Sequence, residues 1–259
     1  MTRRRGQGRR ARRPWRSRIR ALPAWAWGAI LAGVLAAADV AYQLARKPTE
    51  LIGLVTPPAA KSPEATWAEY GALFDAHSTD FVSPALLAAL AQVESAGDPL
   101  ARTYWRWRWS WNVLELYAPA SSAVGMLQIT DGTFAEARRL CVHDHAVAHD
   151  GSWHDPRACW FNALYFRTIP SHAIEMTSAY LHTAVAETLV RQGLRDVSPE
   201  QRQRLAAVIH LCGRERGAAF ARRGFRVAPG ERCGDHDLAR YLVRVEALMR
   251  TFARMDAGI

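Results

Sequence analysis

Acidic residues are missing from the first twenty positions, which hold ten arginines. The formal net charge of +10 comes from that tail, because the rest of the chain has 24 of the 34 basic residues against 24 acidic ones. A protein that grips phosphate backbones needs a basic domain face. The balanced body therefore predicts no nucleic-acid partner. Charge of either sign is then absent from Ala21 to Ala38, with Asp39 and Gln43 only near the far end of the apolar stretch. Extended to Leu44, this stretch reaches the roughly 20 residues a helix needs to cross a bilayer. Arginines crowd its N-terminal side and only Arg46 and Lys47 follow it, which orients the N-terminus to the cytoplasm. Trp25, Trp27 and Tyr42 sit near its two ends, where interfacial aromatics belong. The preferred reading is an uncleaved single-pass anchor in the inner membrane, with the body periplasmic. A cleaved signal peptide, using the small residues around Leu35-Ala36-Ala37-Ala38, is the alternative, and a buried helix of a soluble protein is a third. The first two both export the body.

Strand signals are scarce and internal repeats are absent, which argues against sandwich and solenoid architectures. The resulting division is a basic cytoplasmic tail over 1–20, a transmembrane segment over 21–44, a Pro-rich linker over 45–61 and one mostly α domain over 62–259. Helix starts are marked by a capping residue followed by proline at Ser62-Pro63, Ser83-Pro84, Asp155-Pro156 and Ser198-Pro199. The side-chain oxygen caps the open amides, and proline at the first helical position loses no needed donor. Trp67, Tyr70, Gly71 and Phe74 then recur at helical spacing, and Leu238, Tyr241, Leu242, Val245, Met249 and Phe252 form a longer stripe.

Four cysteines in an exported body suggest two disulfides. Of the three pairings, Cys141–Cys159 with Cys212–Cys233 closes the shortest loops and is preferred, with four free buried thiols as the alternative. The text around Cys141-Val142-His143-Asp144-His145, His149 and His154-Asp155 is rich in ligand-type side chains but fits no tight zinc spacing. No metal and no cofactor are expected.

After Ser83-Pro84, residues Leu87, Leu90, Ala91 and Glu94 fall on one helical face, and Gly97 with Asp98-Pro99 stops the helix. Glu94 thus closes an apolar stripe. Partial loss of water favours the protonated form of a carboxyl, as a general acid acting on a glycosidic oxygen requires. Spacing alone also fits an ordinary solvated glutamate.

Downstream, Gly125-Met126-Leu127-Gln128-Ile129-Thr130 runs into Asp131-Gly132-Thr133-Phe134. Together with Gln92-Val93-Glu94-Ser95, this resembles the soluble lytic transglycosylase family, relatives of goose-type lysozyme, over about residues 84–140. The Met and Leu stand in reversed order, and Asp131 replaces the usual proline. The resemblance implies a lysozyme-like helical domain and an enzyme acting on peptidoglycan glycan strands. Glu94 would be the single acid/base and Ser95 would help set its surroundings. Gly125, Met126 and Gln128 would line the sugar cleft, where glycine admits close backbone approach and glutamine offers both donor and acceptor. For Met126, core packing is the alternative. The family's chemistry cleaves the MurNAc-GlcNAc β-1,4 bond and closes a 1,6-anhydro ring on the substrate's own C6 hydroxyl, so it needs no second carboxylate. None stands out, because Asp98 belongs to the helix stop and Asp131 reads as a cap. The family's Ala-Ala-Tyr-Asn-Ala-Gly-like segment corresponds here to Ala206-Ala207-Val208-Ile209-His210-Leu211-Cys212-Gly213. His210 stands in the tyrosine's place, as either its replacement toward Glu94 or substrate, or a structural histidine.

Between these motifs, Tyr104-Trp105-Arg106-Trp107-Arg108-Trp109-Ser110-Trp111 alternates four tryptophans with polar residues, which puts them on one face if the segment is extended. Trp107 and Trp109 are candidate sugar-stacking residues, with Arg106 or Arg108 toward muramyl-peptide carboxylates. A strand packed on the core and a membrane-interface contact are the alternatives. Besides the lytic transglycosylase, a hydrolytic muramidase and a non-catalytic peptidoglycan-binding scaffold remain open. So does a role beside an envelope-spanning machine.

Overall fold

The computed structural model describes residues 23–47, 59–107, 109–112, 115–152, 154–155 and 158–258. The arginine tail, most of the expected linker, Arg108 and Pro156 lie outside the described residues. The chain divides into two units, one of Met1–Arg46 with Trp105–Ala118 and one of Lys47–Tyr104 with Pro119–Ile259.

In the first unit, helix α1 (Ala24–Arg46) has 23 residues, a length of roughly 35 Å. Its Ala24–Ala45 part is long and apolar enough to cross a membrane. Ile30, Leu31, Val34 and Leu35 are exposed, while Asp39 and Gln43 are buried. Strand β1 (Trp105–Trp107) pairs with β2 (Tyr117–Pro119). Trp105 and Trp107 share one face, both packing on the Tyr117 ring with centroids at 5.4 and 4.9 Å. The paired strand is described for Trp105–Trp107. Trp107, Trp109 and Trp111 are 77%, 102% and 105% exposed, which removes the core-packed reading for them.

The second unit is mostly helical. Helix α2 (Pro63–Ala76) and α3 (Pro84–Ser95) begin where Ser62 and Ser83 accept the amides of Ala65 and Leu86. Helix α4 spans Asp131–Ala137, α5 Pro170–Gln192, α6 Pro199–Cys212, α7 Arg214–Arg222 and α8 Leu238–Asp256. A reciprocal capping box between Ser198 and Gln201 opens α6. After Asp155, the next element is a 3-10 turn, Cys159–Leu164, with Ala158 in the cap position. Two short antiparallel hairpins complete the unit. They are β3 (Leu140–His143) with β4 (Ala146–His149), and β5 (Arg232–Cys233) with β6 (His236–Asp237). Cys141 is bonded to Cys159, across from the first hairpin, and Cys212 to Cys233.

Helix α3 is the centre of this unit. Leu86 through Ala91 are all 0% exposed, because α8, α2 and α6 pack around them. Each of its three buried leucines contributes about 2 kcal/mol by leaving water. Helix α5 forms a second axis against α6, α7 and β3. The α8 stripe is inward as the spacing predicts, with Leu238, Tyr241, Leu242, Val245 and Phe252 buried.

Burial holds His77, His172, His182 and His210 below the ordinary histidine value. The unfolded chain takes up protons near pH 6.5, where the folded chain stays neutral. Their stability contribution is therefore complete above about pH 6.5 and is lost as pH falls from there toward the folded values. Urea midpoints are expected to drop between about pH 7.5 and about pH 5. The His182→Phe variant keeps a ring against Phe81, now stacked at 4.6 Å, and is expected to lose less. Midpoints that stay level over this range would refute the account.

Candidate functional site

Helix α3 delivers Glu94 to the surface at the end of its buried run. The helix stops at Ala96, whose left-handed conformation (φ 52°) caps it. The cap is one residue earlier than the glycine that sequence suggested. Gly97 follows with φ 71°, and a Cβ there would stand 2.4 Å from Thr66 Oγ1, so only glycine fits. Asp98 then accepts the amides of Ala59 and Leu100 at 3.1 and 2.9 Å. Both of its oxygens hold backbone.

The Glu94 side chain is 14% exposed. Tyr241, on α8, donates its hydroxyl proton to Glu94 Oε1 at 2.8 Å. Burial, followed by the neighbouring carboxylate charge and the hydrogen bond to it, pushes the Tyr241 hydroxyl well above its ordinary value. It stays protonated and remains a donor. His210 Nε2 lies 3.7 Å from the same oxygen, beyond hydrogen-bond length. Burial outweighs the pull of Glu94 and holds the imidazole below its usual value, hence neutral at pH 7. Glu94 therefore sits between two uncharged rings. Its Oε2 has no hydrogen bond among the described residues.

Tyr241 is the residue that sequence reasoning missed. It was legible only as one member of the apolar α8 stripe. A tyrosine in an otherwise apolar face must find a partner for its hydroxyl when buried, and that was the available signal.

The segment Gly125–Thr130 is fastened to the end of α3. Ser95 Oγ donates to the Met126 carbonyl at 2.8 Å and also lies 3.1 Å from the Ala91 carbonyl. Met126 itself is fully buried. The expectation that its side chain lines a cleft is corrected, since its thioether fills core while its carbonyl serves Ser95. Gly125 has φ 81°, and a Cβ would strike the Arg167 carbonyl oxygen at 2.1 Å. The glycine is thus demanded by a close backbone crossing within the protein. Gln128 is half-buried with φ 45°. Its Nε2 donates to the carbonyls of Gly125 and Ala101 at 2.9 and 3.3 Å, closing the turn.

Arg167 was not anticipated either. Its Nη1 donates to the carbonyls of Ser122 and Ile129 at 2.9 and 2.8 Å, and its Nη2 pairs with Asp131 at 2.8 Å. The guanidinium also covers the Phe134 ring. The cap of α4 is Thr130, whose Oγ1 accepts the Thr133 amide; Asp131, expected to cap, is the first helical residue and serves Arg167. A further buried carboxylate, Glu175, accepts the Val142 amide with one oxygen and the Tyr165 hydroxyl with the other. Of the ligand-type residues near Cys141, Asp144 and His145 form the β3–β4 turn, and His145 Nδ1 faces Ser78 Oγ at 3.0 Å. Glu94, Ser95, Gly125, Met126, Gln128 and His210 belong to one unit, whereas Trp107 and Trp109 belong to the other.

Residues 72–194 match the family model for the transglycosylase SLT domain. The match contains Glu94, Ser95 and the Gly125–Gln128 segment, while His210 and Tyr241 come from beyond it. The curated proteins include no match to the chain.

Removing the Arg167 clamp tests how the segment is held. Arg167→Ala is expected to cost about 2–4 kcal/mol through lost charge-assisted bonds and unpaired carbonyls. Amide exchange over 124–130 should accelerate while that of α5 stays protected. Unchanged protection of the segment would show that Arg167 is not its anchor.

Proposed function

Because the chain carries a transglycosylase SLT domain, we propose that it is a lytic transglycosylase. It would cleave the MurNAc-GlcNAc β-1,4 bond of peptidoglycan with Glu94 as its single acid/base. The observation that carries this reading is the asymmetric setting of Glu94. One carboxyl oxygen is occupied by the Tyr241 hydroxyl, the other is unengaged among the described residues, and no charged group sits beside either.

In the proposed reaction, the proton on Oε2 passes to the glycosidic oxygen as the C1–O bond of the MurNAc ring breaks. The leaving GlcNAc departs with its 4-hydroxyl restored. The MurNAc C6 hydroxyl oxygen then bonds to C1, and its proton returns to Oε2. Tyr241 keeps its proton throughout and fixes the plane of the carboxyl group. His210, held neutral, faces the same oxygen as Tyr241 and adds no charge there. Gln128 spends its amide nitrogen on the turn, so its Oε1 is the part offered to a sugar hydroxyl or acetamido group.

A hydrolytic muramidase requires a second carboxylate to activate water or trap the sugar. Asp98, Asp131 and Glu175 are each committed to backbone, to Arg167 or to Tyr165. None of these three is therefore read as that second carboxylate. Helix α1, by its length and the arginines before it, is read as an uncleaved inner-membrane anchor that places the second unit in the periplasm, on the glycan strands.

Purified protein on isolated sacculi is expected to release 1,6-anhydro ends. Reducing N-acetylmuramic ends would overturn the lyase assignment in favour of a muramidase. Glu94→Gln should lower the rate by about 10²–10⁴-fold with an unchanged melting temperature. Sacculus binding without turnover by the native chain would identify a scaffold. Tyr241→Phe should reduce kcat about 10-fold or more, equivalent to one lost hydrogen bond at the reacting group, with little change in KM. An effect confined to KM would argue against its positioning of Glu94.

A further inference from the structure

The first unit combines two pieces of chain that are far apart in sequence. One is α1, and the other is the hairpin Trp105–Ala118. Lys47 directly follows α1, and its Nζ donates to Thr103 Oγ1 and to the carbonyls of Ser121 and Ala123 at 3.4, 3.3 and 3.1 Å. Tyr104 and Ala120 close the stem of the hairpin through an amide–carbonyl bond of 2.8 Å. Within the second unit, Lys47 thus ties the residue that follows α1 to the residues that flank the tryptophan hairpin.

Helix α1 has the polarity of a membrane-embedded element, with apolar residues outward and Asp39 and Gln43 shielded. The hairpin displays Trp107, Trp109 and Trp111 to the outside, with Arg106 exposed among them. Full exposure of several indoles is costly in water. It is favourable at the headgroup level of a bilayer, where the apolar ring and the polar N–H are both satisfied. Arginine interleaved with tryptophan suits anionic headgroups.

We infer that Trp107, Trp109 and Trp111, with Arg106, form a second membrane contact that lies in the outer interface of the bilayer crossed by α1, rather than a glycan-stacking platform. This inference rests on the reading of α1 as a retained anchor. It gives that anchor a consequence: the first unit would hold the bilayer through two pieces of chain far apart in sequence.

The test uses the full chain with Trp25→Phe and Trp27→Phe, which removes the tryptophans of α1. The protein is reconstituted into nanodiscs of phosphatidylethanolamine and phosphatidylglycerol whose acyl chains are brominated near the carbonyl end. Insertion is scored separately by co-elution with lipid. Quenching of roughly a third of the tryptophan emission is expected, the share of three interfacial indoles among the eight that remain. The further changes Trp107→Ser, Trp109→Ser and Trp111→Ser should abolish it without altering the melting temperature. Insertion without quenching overturns the hairpin contact and leaves the anchor standing. Failure to insert overturns the anchor reading and this inference together. Soluble glycan oligomers that shift the hairpin emission in unbrominated discs, with no lipid quenching, assign the tryptophans to glycan instead.

Discussion

A helix buried along its whole length can present chemistry only at its ends. Six consecutive residues of α3, Leu86 to Ala91, have no exposure, and this fixes the axis on which Glu94 is delivered. Any tilt of α3 would open the packing against α8 and α2, at a cost of about 20–30 cal/mol for each Å² of apolar surface returned to water. The carboxyl group inherits that rigidity. The left-handed stop at Ala96 and Gly97 prevents the helix from carrying Glu94 further inside. Gly97 can occupy that stop only because it lacks the Cβ that would meet Thr66.

From this fixed point the remaining site is assembled by short polar ties. Ser95 joins α3 to the Met126 carbonyl, and Arg167 gathers the carbonyls of Ser122 and Ile129 with Asp131. The Gly125–Thr130 segment is backbone with few apolar anchors apart from Met126, Leu127 and Ile129. Its carbonyls would be unpaired if these donors were absent, and a buried carbonyl without a donor costs about 1–3 kcal/mol. The polar ties therefore do more than decorate the segment; they make its irregular course tolerable beside a fully buried helix.

The motif of Glu94 with Gly125–Gln128 was legible because glutamate, helix end and loop all fall within one stretch of chain, inside the matched residues 72–194. Helix starts were legible for a local reason as well, since Ser-Pro pairs act on amides two or three residues away. What sequence concealed depends on distance. Tyr241 lies 147 positions from Glu94, and its stripe spacing is satisfied equally by a tyrosine that packs and one that also donates. Arg167 is one arginine among 34 basic residues, and its grip on two carbonyls leaves no trace in side-chain pattern. Met126 misled because a residue of a loop motif can contribute its carbonyl while its side chain faces inward. The tryptophan alternation predicted a shared face correctly for Trp105 and Trp107.

The disulfide between Cys212 and Cys233 links this geometry to the compartment. His210 lies two residues before Cys212 on α6, and Tyr241 begins the first turns of α8 after the hairpin that holds Cys233. The two rings that flank Glu94 are thus carried by elements stapled to each other, independently of α3. Closing a loop with a sequence separation of 21 removes unfolded-state freedom amounting to about 3 kcal/mol in the chain-entropy picture. The same covalent tie restricts how far α8 can move relative to α6. A chain held in a reducing compartment would lose that restraint between the hydroxyl donor and the neutral imidazole, while α3 and Glu94 would remain packed. Oxidation of this cysteine pair and orientation of the carboxyl group are therefore physically coupled.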